Sequence, residues 1–326
     1  MRVLVIGAAG MIGRKLAAQL AQGTPLGRPV EHLTLVDVVA PAAPDGFRGQ
    51  VETKTADLSR PGTAATLLDN QPDVVFHLAA IVSGEAEAEF EKGCRVNLDG
   101  TRELFEAIRQ AGVALRVVFT SSVAVFGAPF PDAINDEFHT TPLTSYGTQK
   151  AIGELLLADY SRRGFMDGIG VRLPTICIRP GAPNKAASGF FSNILREPLV
   201  GQEAVLPVSD DVRHWFASPR AAVGMVLHAA TLDTASLGWR RTLSMPGLSA
   251  TVGDEIAALR RVAGDKAVRL IRRAPDPAIQ SIVGGWAQNF DARRAIELGF
   301  EAERSFDDII SAHVDDELGG SIPVAA

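Results

Sequence analysis

Tyr146 is one of only two tyrosines in a chain of 326 residues, and it stands four positions before Lys150 in "TSYGTQKAIGE" (144–154). Four positions is about one helical turn, so the two side chains share a face if this stretch is helical. A tyrosine phenol titrates near pH 10, about three units too high for a base at neutrality. An ammonium one turn away favours the phenolate, and the positive end of a helix acts in the same direction. A phenol so placed can take the proton of a hydroxyl while the carbon bearing it is oxidised. The spacing alone is equally that of an ordinary surface pair, so the case depends on the rest of the chain.

Oxidation needs an acceptor, and "VLVIGAAGMIGRKLA" (3–17) has the pattern that holds one. A short apolar run leads into Gly7, Gly10 and Gly13, and a helical pattern follows. The first glycine permits a tight turn, the second lets backbone approach a pyrophosphate, and the third lets helix and strand pack closely. The helix start, at Met11 and Ile12, supplies free N–H groups and a partial positive charge for phosphate. Asp37 ends the next apolar run, 24 residues after Gly13. Its carboxylate can accept from both ribose hydroxyls of an adenosine and repels a 2′-phosphate. The following "VVAPAAPDGF" (38–47) holds no Arg or Lys to retain that phosphate, so the pattern selects NAD over NADP. The plain role for Asp37 is to cap a turn.

The elements that must position these groups alternate. Strands are expected at 3–7, 33–37, 51–57, 73–79, 115–121 and 169–178, and helices at 11–22, around 60–70, at 86–111 and at 145–163. Continuous apolar strands separated by helices imply a parallel sheet covered on both faces. After "RPGAPNKAASG" (179–189) the segments shorten: helices near 218–231, 253–263, 290–297 and 305–316, and a strand near 241–245. The reading is an α/β chain: a Rossmann-type doubly wound parallel sheet (1–180) with a smaller C-terminal α/β substrate-binding lobe (181–326), segments crossing between the two.

Composition narrows the function classes. Hydrophobic residues at 46% and charged residues at 21% are those of a globular protein. A formal charge of −6 gives no global basic field for nucleic acid or a membrane surface. No apolar run reaches the roughly 18 residues of a membrane span, and the run in "MRVLVIGAAG" is too short for a signal peptide. The cytoplasm is the expected location. Cys94 and Cys177 are too few for a disulfide framework and lack metal-ligand spacing. They read as buried thiols, and no metal is expected.

Taken in order, the motifs resemble the extended short-chain dehydrogenase/reductases, the NAD-dependent epimerase/dehydratase family of nucleotide-sugar epimerases and dehydratases. The resemblance runs over about residues 1–230. It rests on "GAAGMIG" (7–13), Asp37, "ADL" (56–58), "HLAA" (77–80), "VNLDGT" (96–101), "TSSVAVFG" (120–127), "YGTQK" (146–150) and "RPG" (179–181). It implies Ser122, Tyr146 and Lys150 as the catalytic set, with Ser122 rather than Ser121 chosen by counting back from "VFG" (125–127). Ser122 would orient the substrate hydroxyl, and Lys150 would also hold the nicotinamide ribose. The resemblance further implies Asp57 and Leu58 beside the adenine, and Leu78, Ala79 and Ala80 along the cofactor. Asn97 would steady that region, and Pro174 and Thr175 would lie by the nicotinamide. Many relatives carry asparagine at the position of Thr175, and tyrosine at that of Phe126.

The substrate side is expected in "CIRPGAPNKAASGFFSNILREPLVG" (177–201), with Arg179, Asn184, Lys185, Ser188 and Arg196, and at Arg213 in "DDVRHWFASPRAA" (210–222). Lys185 and Arg196 read as solvated charges, Arg213 as an anion contact. Relatives commonly place an acid after that arginine; here His214 and Trp215 follow. "HLAAIVSGEAEAEFEKGCRVNLDGTR" and "RLPTICIRPGAPNKAASGFFSNILREPL" are most similar to a bacterial subgroup, the D-erythronate dehydrogenases. That similarity implies NAD-dependent oxidation of the C2 hydroxyl of a small anionic sugar acid to 2-oxo-tetronate. It implies substrate contacts at Ser83, Ser122, Tyr146, Arg179 and Arg213, with Arg179 and Arg213 as candidate carboxylate clamps. The alternative is a nucleotide-sugar epimerase using NAD in place. A dehydratase is disfavoured, because Val123 and Ala124 stand where an Asp-Glu pair is usual. Relatives imply a homodimer through the helices at 86–111 and 145–163.

Overall fold

The computed structural model describes residues 1–181 and 187–323. The first half runs β1 (Arg2–Ile6), α1 (Met11–Leu20), β2 (His32–Asp37), β3 (Gln50–Thr55), α2 (Thr63–Leu67), β4 (Val74–His77), α3 (Ser83–Ala88) and α4 (Phe90–Gly93). A π-helical turn (Cys94–Asp99) leads into α5 (Gly100–Ala111), then β5 (Arg116–Ser122), α6 (Ser145–Arg162), β6 (Asp167–Leu173) and β7 (Thr175–Ile176). The second half holds α7 (Gly189–Leu199), β8 (Ala204–Leu206), β9 (Arg213–Ala217), α8 (Pro219–Thr231), β10 (Thr242–Ser244) and β11 (Leu248–Thr251). It ends with α9 (Val252–Val268), β12 (Ile271–Arg273), α10 (Pro277–Gly284), α11 (Arg293–Glu297) and α12 (Phe306–Leu318).

Seven parallel strands form the main sheet in the order β10-β6-β5-β4-β1-β2-β3. The order reverses between β1 and β4, the switch point beside which doubly wound sheets bind ligands at their strand ends. Burial on both faces explains the unbroken apolar strands. Val3, Val5, Leu33 and Leu35 pack against α1 and α8, while Leu4, Ile6, Val75 and Phe119 pack against α5 and α6.

The expected strand at 169–178 is two strands. Pro174 lacks the N–H a ladder needs, so β6 stops at Leu173 and β7 leaves the main sheet to pair with β9. The expected helix at 86–111 begins earlier, at Ser83, and breaks at Glu89 (φ −121°, ψ 68°). Its π-helical turn inserts an extra residue that turns Asn97 inward, and the helix does end on left-handed Gly112. The helix expected around 60–70 is only Thr63–Leu67, started by left-handed Gly62. The one expected at 253–263 continues to Val268, bent at Gly264 (φ 78°, ψ 177°).

β7, β9 and β11 form a small sheet, β8 and β12 another, and α7, α9 and α12 cover them around a second core. Residues 219–244 return to the first layer: α8 packs on the main sheet, and β10 extends its edge beside β6. No described helix is long and apolar enough to cross a membrane. Cys177 is buried, but Cys94 is only partly so, since it lies on the π-helical turn with Gln149 Nε2 donating to its Sγ at 3.6 Å.

Candidate active site

Close backbone contacts set the site. Thr144 caps α6, its Oγ1 accepting from Gly147 N at 3.0 Å. A Cβ on Gly147 would lie 2.1 Å from Ala124 O, so this glycine lets the first turn of α6 press on the turn after β5. That contact brings Tyr146 to Ser122, whose Oγ accepts from Ala124 N at 3.2 Å. Six residues on, a Cβ on Gly153 would meet the Phe119 ring at 2.8 Å, so α6 lies tightly against β5.

Lys150 is drawn into that seam and is 2% exposed. Its Nζ donates to Thr120 O at 2.8 Å. It lies 4.8 Å from the centre of the Phe119 ring and 5.9 Å from that of Tyr146. Burial lowers the ammonium to about 8, with Glu154 acting the other way. The sequence led us to expect a phenol lowered by Lys150. Instead burial raises Tyr146, opposed by a hydrogen bond with Ser122 and by the charge of Arg179. The charge of Arg179 thus lowers the phenol against its burial, while Lys150 donates a hydrogen bond to the Thr120 carbonyl.

Beneath the pair runs a buried ionic chain that motif spacing did not reveal. Glu154 Oε1 accepts from Ser121 Oγ at 2.5 Å and Arg172 Nε at 3.0 Å, and its Oε2 accepts from Arg172 Nη2 at 2.7 Å. Arg172 lies 3.7 Å from Asp136, whose Oδ1 accepts from Ser244 N at 2.8 Å. The chain ties α6, β5, β6, β10 and the loop between Ser122 and Tyr146. Its one sequence signal is that Glu154 follows Lys150 by a turn.

The cofactor cleft lies at the switch point. Gly7 has φ +93°, and a Cβ there would sit 2.6 Å from Ala79 N; one on Gly13 would sit 2.2 Å from Gly7 O. Gly10 starts α1 with no side-chain cap, so the N–H groups of Met11, Ile12 and Gly13 are those left open at a helix start. Asp37 caps the loop and borders the cleft at once: Oδ2 accepts from Ala9 N at 2.9 Å and Oδ1 from Val38 N at 2.7 Å. Val38 and Val39 beside it are exposed. Asp57 is lowered by its hydrogen bond from Ser59 Oγ, next to buried Leu58. Leu78, Ala79 and Ala80 follow β4, half-buried. Asn97 clamps the following peptide, accepting from Ile81 N at 2.8 Å and donating to Ile81 O at 2.9 Å. Narrow glycine contacts, an uncapped helix start and a carboxylate that pairs with no cation among the described residues fit NAD, which when bound supplies the hydride acceptor.

Ser83 opens α3, half-buried. Pro174 and Thr175 follow the β6 end that is level with Ser122. Arg179 is held by Ile176 O at 3.0 Å and Ser188 Oγ at 2.9 Å. Arg213 turns elsewhere, donating to Ser249 O at 3.1 Å. Arg196 is braced rather than solvated, because it donates to Arg179 O, Asn193 and Glu197. Asn184 and Lys185 lie outside the described residues. Thr175 Oγ1 and His214 Nε2 are 2.7 Å apart, a pairing the sequence did not announce. His77 is buried with Nε2 on Thr101 Oγ1 at 2.8 Å, as expected of a structural histidine. A surface groove of about 580 Å³, bordered by Arg220, His228, Phe300 and Asp308, shares no residue with this cleft.

Known proteins resemble this chain. A D-erythronate dehydrogenase of Cupriavidus necator is 48% identical over 97% of this chain and 98% of its own. One from Haemophilus influenzae is 40% identical over 98% of this chain and all of its own. A crystal structure from Agrobacterium tumefaciens, described as a nucleoside-diphosphate-sugar epimerase, is 66% identical with a TM-score of 0.97, covering 99% of this chain and 96% of that one. The model of the NAD dependent epimerase/dehydratase family matches residues 3–235, a span that holds the glycine loop, Ser122, Tyr146 and Lys150, and to that family this chain belongs.

Proposed function

We propose that the protein is an NAD-dependent dehydrogenase that oxidises the C2 hydroxyl of D-erythronate to 2-oxo-tetronate. The observation that carries this reading is the nearly end-to-end match to two D-erythronate dehydrogenases, and the charge of Arg179, which opposes the burial of the Tyr146 phenol, supports it. A 2-hydroxy acid carries its carboxylate on the carbon next to the one oxidised. A cation beside the base therefore suits such an acid.

Arg179 binds the carboxylate and so sets C2 beside the phenol. Ser122 donates to the C2 oxygen and Tyr146 removes its proton as the C2–H bond breaks toward the dinucleotide. One hydroxyl becomes one carbonyl, with NADH and one proton released. Lys150 holds the ribose of the dinucleotide and keeps a positive charge below the phenol. Asp37 takes the adenosine ribose, Asp57 and Leu58 the adenine, and Ser83 lies at the edge of the acid.

The second reading, a nucleotide-sugar epimerase, draws on the description of the Agrobacterium tumefaciens structure. Absorbance at 340 nm decides between them. NAD with a panel of C4 to C6 sugar acids is expected to yield NADH, fastest with D-erythronate. Epimerisation of a nucleotide sugar without any net NADH would overturn the first reading. The protein is further proposed to work in the cytoplasm as a homodimer. Exposed Phe90 on α4 and Leu155 on α6 support apolar pairing of those helices.

A further inference from the structure

His214 is 4% exposed, and both of its ring nitrogens are engaged. Nδ1 lies 2.9 Å from Ala287 O, Nε2 2.7 Å from Thr175 Oγ1. A carbonyl only accepts, so Nδ1 must carry the proton. In the neutral ring Nε2 is then a bare lone pair, and the Thr175 hydroxyl must donate to it. Phe191 lies parallel to the imidazole within 9° at 5.5 Å, and Phe216 meets it edge-on at 5.5 Å. This apolar enclosure and the charge of Arg179 hold the ring neutral, lowering it to about 4.

The consequence falls on Thr175. It is partly exposed and lies two residues past the strand position level with Ser122. Its one hydrogen is committed to His214. Toward the cleft its oxygen can only accept, so it suits a hydroxyl and opposes a carboxylate. Arg179, which bears on both Tyr146 and His214, has the opposite preference.

We propose that Thr175 is a specificity-determining residue that accepts a hydrogen bond from a substrate hydroxyl beyond C2, and that His214 is the positioning residue that fixes Thr175 as an acceptor. The inference deepens the proposed dehydrogenase function and rests on it. Thr175 and Arg179 together orient the acid: its carboxylate lies at the guanidinium and its distal hydroxyls at Thr175. A carboxylate turned toward Thr175 would place two acceptors face to face.

The test uses D-erythronate and its two deoxy analogues, 2,4-dihydroxybutanoate and 2,3-dihydroxybutanoate. The native enzyme is expected to prefer D-erythronate to one of them by tenfold or more in kcat/KM, the order of discrimination a lost hydroxyl contact produces. Thr175→Val is expected to erase that preference by raising KM for D-erythronate, with kcat within about threefold. Thr175→Ser is expected to restore it. His214→Phe is expected to lose the preference although Thr175 remains. Equal use of all three acids by the native enzyme, or an unchanged preference in Thr175→Val, overturns the inference.

A second measurement does not depend on turnover or on variants folding. In nitrogen-15 spectra of the native chain, His214 is expected to be neutral with Nδ1 protonated at pH 7. A proton on Nε2 overturns the inference. A chain that oxidises no sugar acid fails the proposed function instead, and the tautomer then decides the His214–Thr175 arrangement by itself.

Discussion

Lys150 Nζ stands 5.9 Å from the centre of the Tyr146 ring and donates its hydrogen bond to Thr120 O instead. The two side chains share a helix face as their spacing dictates, yet the ammonium makes its hydrogen bond to the backbone of β5. The geometry separates two duties: Ser122 and Arg179 act at the phenol, and Lys150 is a buried charge behind it.

Tyr146→Phe removes the proposed base and leaves the ring. Turnover with D-erythronate is expected to fall by at least about a hundredfold, with NAD affinity, measured by fluorescence titration, within about threefold. Because burial raises the phenol, native oxidation is expected to accelerate as pH rises above neutrality. A rate independent of pH would remove Tyr146 from that step.

Lys150→Met is expected to abolish turnover and to stabilise the fold at pH 7. Burial lowers this ammonium from 10.5 to about 8. Between those values the unfolded chain holds a proton that the folded chain has released. Native stability therefore rises with pH across that window, and the full penalty applies below it. The gap corresponds to about 3 kcal/mol, reduced by about 1 kcal/mol for the lost bond to Thr120. Urea unfolding at pH 7 should show the variant ahead by about 2 kcal/mol, with the advantage shrinking toward pH 10.

Asp37→Ala should act twice. Losing the ribose contact is expected to weaken NAD and to narrow its advantage over NADP. Losing the cap on Ala9 N is expected to cost about 1 kcal/mol of stability. Parallel kinetics with both dinucleotides check the first effect and thermal unfolding the second. Unchanged discrimination would place the cofactor choice elsewhere, with Val38 and Val39 the nearest neighbours.

Leu155→Glu, which changes an exposed position on α6, is expected to convert the proposed dimer to a monomer by light scattering, and Phe90→Glu to do the same. Both side chains are more than half exposed in the single chain, so the monomeric fold should survive. A dimer unaffected by either change would place the interface off these helices.

The glycine loop, Asp37 and the Tyr146–Lys150 pair stood out in the sequence because each is a local pattern, and their order along the chain singled out one meaning among those each allows alone. The parallel sheet was legible for the same reason, from apolar runs buried on both faces. What the sequence concealed was non-local. Pro174 marked a break, but that β7 would cross to β9 follows from Phe216 and Ala217, some forty residues on. Glu154 looked like an ordinary helical acid until Ser121 and Arg172 closed on it from two strands. His214 stood out as a departure from relatives, but its proton is assigned only by Ala287 O. Arg213 and Arg179 read alike as cations, and only folding turned one to Ser249 and the other to Ile176 and Ser188.

The edge strand β10 arrives about seventy residues after its partner β6. During synthesis the chain must therefore hold an unfinished sheet while the intervening segments leave the ribosome. Until residue 244 emerges, the outer edge of β6 presents unpaired N–H and C=O groups, the kind that recruit foreign strands. The nascent chain is thus most exposed to aggregation after its dinucleotide-binding motifs have been made and before the second lobe is complete. A pause in translation between residues 173 and 242 would prolong that interval, and a chaperone would act there.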